Sequence, residues 1–199
     1  GGGGGAEGYV GEGAAHDGEK KPSSLRSALA EAAGLTGFER NGDVVRFASY
    51  APLLARRGHT QWHPDLIYFD ADSVYPSINY HVQRLFGLNA GDTALPAALE
   101  GVPVGSRVTS SVVRDSASGD VILKLVNGED HACTVAVALT GAPAGQRRLI
   151  ATVLTGANAD VVNDDGQPPA ATPVTDESAV GANFERLLPA NSLTILRLR

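Results

Sequence analysis

Two segments of the chain carry apolar residues at helical spacing, and each is followed by extended, strand-like sequence. In LRSALAEAAGLTGFER, Leu25, Leu29, Ala32, Leu35 and Phe38 recur at intervals of three and four, which puts them on one face of a helix. Pro22, Ser23 and Ser24 give it a start signal and Asn41-Gly42 a stop, so the spacing predicts a helix over 23–40. In SINYHVQRLFGLN, Ile78, Val82, Leu85 and Phe86 share a face, and a helix of about three turns should end before Gly91. Between them, DVVRFASYAPLLA begins as a turn and becomes a strand-like run from Phe47 to Leu54, apolar enough to be buried on both sides. WHPDLIYFD supplies a second extended piece. Upstream, AEGYVGEGAAHD reads as a short strand around Gly8 to Val10 that runs into a small-residue loop, with Glu12 at the junction. Strand, helix, strand, helix is the order of a parallel α/β arrangement.

From Gly91 onward helical periodicity vanishes. SRVTSSVVRD, DVILKLVNG, CTVAVALTG, RRLIATVLTG and SLTILRLR alternate sides as half-buried antiparallel strands do, and together they predict an all-β sandwich. Ser118-Gly119 and Asn127-Gly128 are turn dipeptides, and DVVNDDGQPPAATPVTDES reads as one long polar loop. The pattern therefore divides the chain into 1–90, α/β in character, and 91–199, all-β. Two α/β units cannot close a sheet, because a barrel needs eight strands and an open parallel sheet needs both faces covered. The first ninety residues look like a piece of something larger.

Composition removes several functions. A net charge of −6, with no basic run longer than two residues, argues against nucleic acid and anionic membrane surfaces, and a neutral or sugar-like ligand fits better. No window holds about 18 consecutive apolar residues, so a soluble chain is expected, cytoplasmic or secreted. The lone Cys133 excludes an internal disulfide and, in HACTVAVAL, reads as a strand thiol. His16, His59, His63, His81 and His131 show no metal-ligand spacing; His59 and His63 are four apart, but Trp62 and Pro64 break the helix such a pair needs. No phosphate loop and no G-x-S-x-G occurs. No metal and no cofactor is expected. Five leading glycines and the absence of methionine make the start unlike a natural translation start.

YVGEGAAHD, LRSALAEAAGLTGFERNGDVVRFASYAPLLA, QWHPDLIYFD, YHVQRLFGLNAGD and LPANSLTILRL, in that order and spacing, resemble the C-terminal part of the α-L-arabinofuranosidases of glycoside hydrolase family 51. The resemblance covers the chain from Gly8 onward. It implies the last strands and helices of a (β/α)8 barrel over 1–90, then an antiparallel, jelly-roll-like β-sandwich over 91–199. It also implies a retaining glycosidase whose nucleophile is a Glu at the end of barrel strand seven, in a motif like G-E-Y-A. Gly11-Glu12-Gly13-Ala14 matches it, with Gly13 in place of the usual aromatic, which puts that wall of the sugar pocket in question.

Under the resemblance Glu12 is the nucleophile; without it, Glu12 is an exposed loop carboxylate beside flexible glycines. Trp62 and Asp65 in QWHPD match the segment that closes the sugar site, where a ring stacks on a sugar face and a carboxylate holds hydroxyls; a core Trp and a capping Asp explain them equally well. Tyr50 in ASYAP borders the pocket or packs in the core. His16 and Asp17 reach the substrate or sit in a solvated turn. The family's acid/base Glu lies in an N-E-P motif that does not occur here, so the chain is expected to be catalytically incomplete alone. Its expected partners are an arabinofuranosyl-containing oligo- or polysaccharide and an N-terminal barrel part of the same enzyme; homo-oligomers would be unsurprising. Some family members act on β-glucans. The alternative is a non-catalytic β-sandwich accessory, carbohydrate-binding or structural module.

Overall fold

The computed structural model describes residues 23–42, 53–57, 65–164 and 167–199. Helix α1 spans Leu25–Arg40, starting two residues later than the pattern suggested, because Ser24 is the N-cap: its hydroxyl accepts from the Ser27 N–H at 3.4 Å. Asn41 closes the other end, its backbone N–H reaching the carbonyls of Gly37 and Phe38. The buried stripe runs through Leu25, Ala28, Leu29, Ala32 and Thr36. Phe38, expected on this face, is 47% exposed. At 3.6 residues per turn it stands about 140° round the axis from Leu25.

Three short strands follow: β1 Leu54–Arg56, β2 Ile67–Phe69 and β3 Val74–Pro76. β1 pairs with β2 in parallel and β2 with β3 antiparallel, giving a mixed three-stranded sheet. β1 takes up the end of the run expected as strand-like to Leu54, and β2 lies in the second extended piece, WHPDLIYFD. Leu53 and Leu54, expected to be buried on both sides, are 53% and 58% exposed. The remainder of that run, 43–52, lies outside the described residues, as does 1–22 with the strand expected around Gly8. Helix α2, Ile78–Leu88, ends before Gly91 and buries Ile78, Val82, Leu85 and Phe86, as their spacing predicts.

Eight further strands complete the described chain: β4 Thr93–Ala94, β5 Val108–Arg114, β6 Val121–Asn127, β7 Cys133–Ala138, β8 Arg147–Thr155, β9 Val174–Val180, β10 Asn183–Leu188 and β11 Ser192–Leu198. An antiparallel six-stranded sheet has the order β4-β5-β6-β11-β8-β9, and β7 pairs with β10 in a second, two-stranded sheet. The five predicted strands are present. β9 and β10 were hidden in and after the sequence read as one long loop: β9 is an exposed edge strand rich in Thr, Asp, Glu and Ser, without apolar alternation. Asn127-Gly128 is not a tight turn. Asn127 ends β6 and its Nδ2 donates to the carbonyls of His131 and Pro189, organising the connection to β7.

β6 and β11 are buried on both faces, not on one as alternation suggested. Ile122, Val126, Leu193 and Ile195 pack with Val113 and Leu154 under α1 and α2. Leu123, Leu125, Leu196 and Leu198 point the other way, into a second core with Val137 and Leu188 of the β7/β10 pair. The helices before Gly91 thus share a core with the sheet after it.

Candidate functional site

Of the residues singled out for chemistry, Glu12, Tyr50 and Trp62 lie outside the described residues, as do His16 and Asp17. Asp65 is described. It stands just before β2, 1% exposed, and its backbone N–H donates to the Tyr68 hydroxyl at 2.9 Å. Tyr68 is buried in the middle of β2, and Ser77 holds this end of the sheet to α2: its hydroxyl donates to the Leu66 carbonyl at 2.7 Å and accepts from the Tyr80 N–H at 3.2 Å. Burial pushes the Tyr68 hydroxyl above its ordinary value, the Asp65 N–H opposes this, and the Asp65 charge adds to the rise. Tyr68 is therefore a neutral, fixed phenol at physiological pH. The N–H bond from Asp65 fixes the phenol, which can orient a polar group.

The opposite end of the same sheet carries a polar chain. The Arg57 guanidinium meets Asp164 at 3.2 Å and lies 5.8 Å from the Tyr75 ring centroid. The Tyr75 hydroxyl donates to Asp70 Oδ2 at 2.7 Å, and Asp70 Oδ1 accepts from the N–H groups of Asp72 and Ser73 at 2.9 and 3.0 Å. The Asp72 N–H, with Tyr75 next, holds the Asp70 carboxyl below the usual carboxylate range. An open concavity of about 510 Å³ lies beside it, lined by Leu54, Ile67, Phe69, Asp70, Ser73 and Val74. Among the described residues no group of three His, Cys, Asp or Glu side chains is placed to hold a metal ion.

The sequence reading missed a buried ion pair. Lys124 in the centre of β6 is fully buried and its Nζ meets Glu39 Oε1 of α1 at 2.5 Å, while Ser111 Oγ on β5 donates to Glu39 Oε2 at 2.5 Å. The signal was present: a lysine flanked by apolar residues on both sides in VILKLVN needs a partner if the strand is central.

Set against known proteins, residues 8–192 match the family model described as the α-L-arabinofuranosidase C-terminal domain. The chain belongs to this family. Among curated members, α-L-arabinofuranosidase 1 of Arabidopsis thaliana is 35% identical over 173 residues, covering 85% of this chain and 25% of that protein. An extracellular exo-α-L-arabinofuranosidase of Streptomyces chartreusis is 45% identical over 91 residues, 45% of this chain and 11% of that protein. An arabinose-bound family 51 α-L-arabinofuranosidase superposes with a TM-score of 0.82 at 36% identity, over 90% of this chain and 28% of that one. The family 51 arabinofuranosidase of Xanthomonas axonopodis pv. citri gives 0.74 at 27% identity, over 90% of this chain and 36% of that one. This family 51 C-terminal domain thus spans about a quarter of the length of the Arabidopsis relative.

Proposed function

We propose that the chain is the C-terminal portion of a retaining, exo-acting α-L-arabinofuranosidase that releases terminal α-L-arabinofuranosyl residues from arabinan, arabinoxylan or arabino-oligosaccharides. The observation that carries this reading is the similarity, at 36% identity over 90% of the chain, to the arabinose-bound family 51 enzyme. Residues 1–90 hold the last elements of the catalytic barrel and 91–199 the β-sandwich.

In this reading Glu12 is the nucleophile. A retaining mechanism needs two carboxyl groups about 5 Å apart. The first attacks the anomeric carbon and forms a glycosyl ester while the second gives its proton to the departing oxygen. The second then takes a proton from water, which attacks the same carbon and frees the sugar. Glu12 supplies the first carboxylate, and the acid/base Glu comes from the part of the enzyme that this chain does not span. Trp62 and Tyr50 offer ring faces to the sugar and the Asp65 carboxylate holds its hydroxyls, the Asp65 backbone being tied by its N–H bond to the buried Tyr68.

The test is hydrolysis of an aryl α-L-arabinofuranoside by the full-length enzyme and by its Glu12→Gln and Glu12→Ala versions. A loss of about 10³-fold or more is expected in both. Added azide should restore turnover in Glu12→Ala and yield a glycosyl azide of inverted anomeric configuration. Undiminished hydrolysis in Glu12→Gln would remove the nucleophile assignment. Binding of arabinan without any hydrolysis by the full-length polypeptide would favour an accessory module instead.

A further inference from the structure

The chain holds two Asn-Gly pairs, Asn41-Gly42 at the end of α1 and Asn127-Gly128 at the end of β6. Asparagine is a thermolabile residue, and glycine after it makes it most so, because no side chain keeps the next backbone nitrogen away from the carboxamide. Whether deamidation runs in a folded chain depends on whether those two groups can meet.

The two pairs differ in that respect. Asn127 is fully buried. Its Nδ2 donates to the carbonyls of His131 at 3.0 Å and Pro189 at 2.8 Å, and its Oδ1 accepts from the Glu129 N–H at 3.0 Å. The Gly128 N–H is given to the Arg107 carbonyl at 2.9 Å, and Asn127 itself is paired with Val108 on one side and Ser192 on the other. The groups that ring closure needs are all committed, and the backbone that would have to turn is held in the ladder.

Asn41 is exposed. Its side chain donates from Nδ2 to the Gly37 carbonyl at 2.7 Å, and its backbone N–H reaches the carbonyls of Gly37 and Phe38. With φ −110° and ψ 34° it stands outside the helical turn, so rotation about ψ moves the Gly42 nitrogen relative to the side chain and breaks none of those backbone bonds. Among the described residues the Gly42 N–H meets no acceptor.

We propose that Asn41 is a site of spontaneous covalent modification and that Asn127 is its protected counterpart. Hydroxide takes the Gly42 N–H proton, the nitrogen bonds to Asn41 Cγ, and Nδ2 leaves as ammonia, closing a succinimide ring. Water then opens either ring carbonyl and leaves aspartate or isoaspartate. The product weakens the end of α1: a carboxylate cannot donate to the Gly37 carbonyl, and it adds negative charge where the helix dipole is already negative. That last turn also carries Glu39, the partner of buried Lys124. The inference stands apart from the proposed arabinofuranosidase activity.

The test uses the full-length enzyme, held folded in mildly alkaline buffer beside a sample unfolded in urea, with peptide mass mapping and isoaspartate measured by enzymatic methylation. In the folded enzyme the peptide holding Asn41 should gain one mass unit and split into aspartyl and isoaspartyl forms, while the peptide holding Asn127 stays unchanged. In urea both should change. Gly42→Ala should lose the Asn41 change over the same incubation; a Cβ there would stand 3.4 Å from the Glu39 carbonyl oxygen, which the helix end can accommodate. Asn41→Asp should lower the melting temperature and speed amide exchange in the last turn of α1. An unchanged Asn41 in the folded enzyme, equal conversion of Asn41 and Asn127 there, or conversion of Gly42→Ala at the parental rate would each overturn the site. Parental melting and exchange in Asn41→Asp would overturn its effect on α1.

Discussion

The guanidinium of Arg197 on β11 is hydrogen bonded to the carboxylate of Asp120, which stands at the head of β6 with 3% of its side chain exposed. The same carboxylate accepts from Arg199 Nε at 3.0 Å, and Arg197 Nη2 also reaches Asp115 at 2.9 Å. Arg197 Nη1 extends to the Leu88 carbonyl at 3.5 Å, where α2 ends. One cation thus ties the last strand, the β5–β6 turn and the helix terminus. Burial alone would raise the Asp120 carboxyl, but the two guanidinium groups more than offset it and the carboxyl lies below its ordinary value.

A pH dependence follows, with a definite sign. Below the unfolded aspartate value of about 3.9, the unfolded chain takes up a proton that native Asp120 refuses. The stability contributed by Asp120 is therefore complete above that value and is lost as pH falls through the lower native one. Asp120→Asn should cost about 2 to 3 kcal/mol at pH 7, toward the low end for breaking a buried pair because Arg199 is half exposed. It should also flatten the fall of stability below about pH 4. Urea melts of both proteins between pH 3 and 7 read both effects, and parallel pH profiles would sink the assignment.

The two helix caps should differ in weight. Ser77 is buried and its hydroxyl both donates to Leu66 and accepts from Tyr80, so Ser77→Ala leaves a buried carbonyl short of one partner and should cost about 1 to 2 kcal/mol. Ser24 is half-buried and caps α1 over a long 3.4 Å, so Ser24→Ala should cost about 0.5 kcal/mol. Denaturant midpoints measured at equal m-value check the order; equal losses would contradict it.

What could be read in advance follows from where the signal is local. The Ile78, Val82, Leu85, Phe86 stripe and its stop before Gly91 were legible because a helix writes its buried face into three- and four-residue spacing. Phe38 misled because a stripe extended over several turns drifts off the face. β9 was illegible because an exposed edge strand has no apolar side to reveal it, and it is held by cross-strand contacts such as Arg148–Glu177 and Thr152–Thr175. The double burial of β6 and β11 depends on α1 and α2 folding back over the sheet, a long-range event to which only Lys124 gave a clue. For the site, Asp65 shows the ambiguity plainly: the same residue in QWHPD reads as a sugar ligand or as a structural aspartate, and its burial beside Tyr68 is compatible with both.

Two glycines make a paired test of packing at the end of α2. A Cβ on Gly91 would lie 2.6 Å from the Arg114 carbonyl oxygen and 2.7 Å from Val113 Cβ, and neither can yield without moving β5. Gly91→Ala should cost about 1 to 3 kcal/mol through overpacking. Gly87 lies within α2 with nothing within 4 Å of such an atom, so Gly87→Ala should add about 0.5 to 1 kcal/mol by removing chain entropy from the unfolded state. Thermal melts of the two variants should therefore move in opposite directions. A neutral Gly91→Ala would mean that the close approach of the 91–92 turn to β5 is relaxed in solution.

The change of sequence character at Gly91 invites expression of 91–199 as a sandwich on its own, and the packing argues against this. Removing α1 and α2 bares Val113, Ile122, Val126, Leu154, Leu193 and Ile195, all at most 4% exposed in the intact chain. At about 1.5 to 3 kcal/mol for each buried aliphatic side chain, the loss is comparable to the whole stability of an ordinary domain, about 5 to 15 kcal/mol. Lys124 would also lose Glu39, though solvent would now reach its ammonium. The 91–199 fragment is therefore expected to aggregate or to melt without a cooperative transition, whereas a polypeptide that retains α1 and α2 should melt cooperatively. Light scattering and calorimetry on the two distinguish the cases. A monodisperse 91–199 with a sharp transition would show that the β7/β10 face alone sustains the sheet, and that the helices are held by the sandwich without being needed by it.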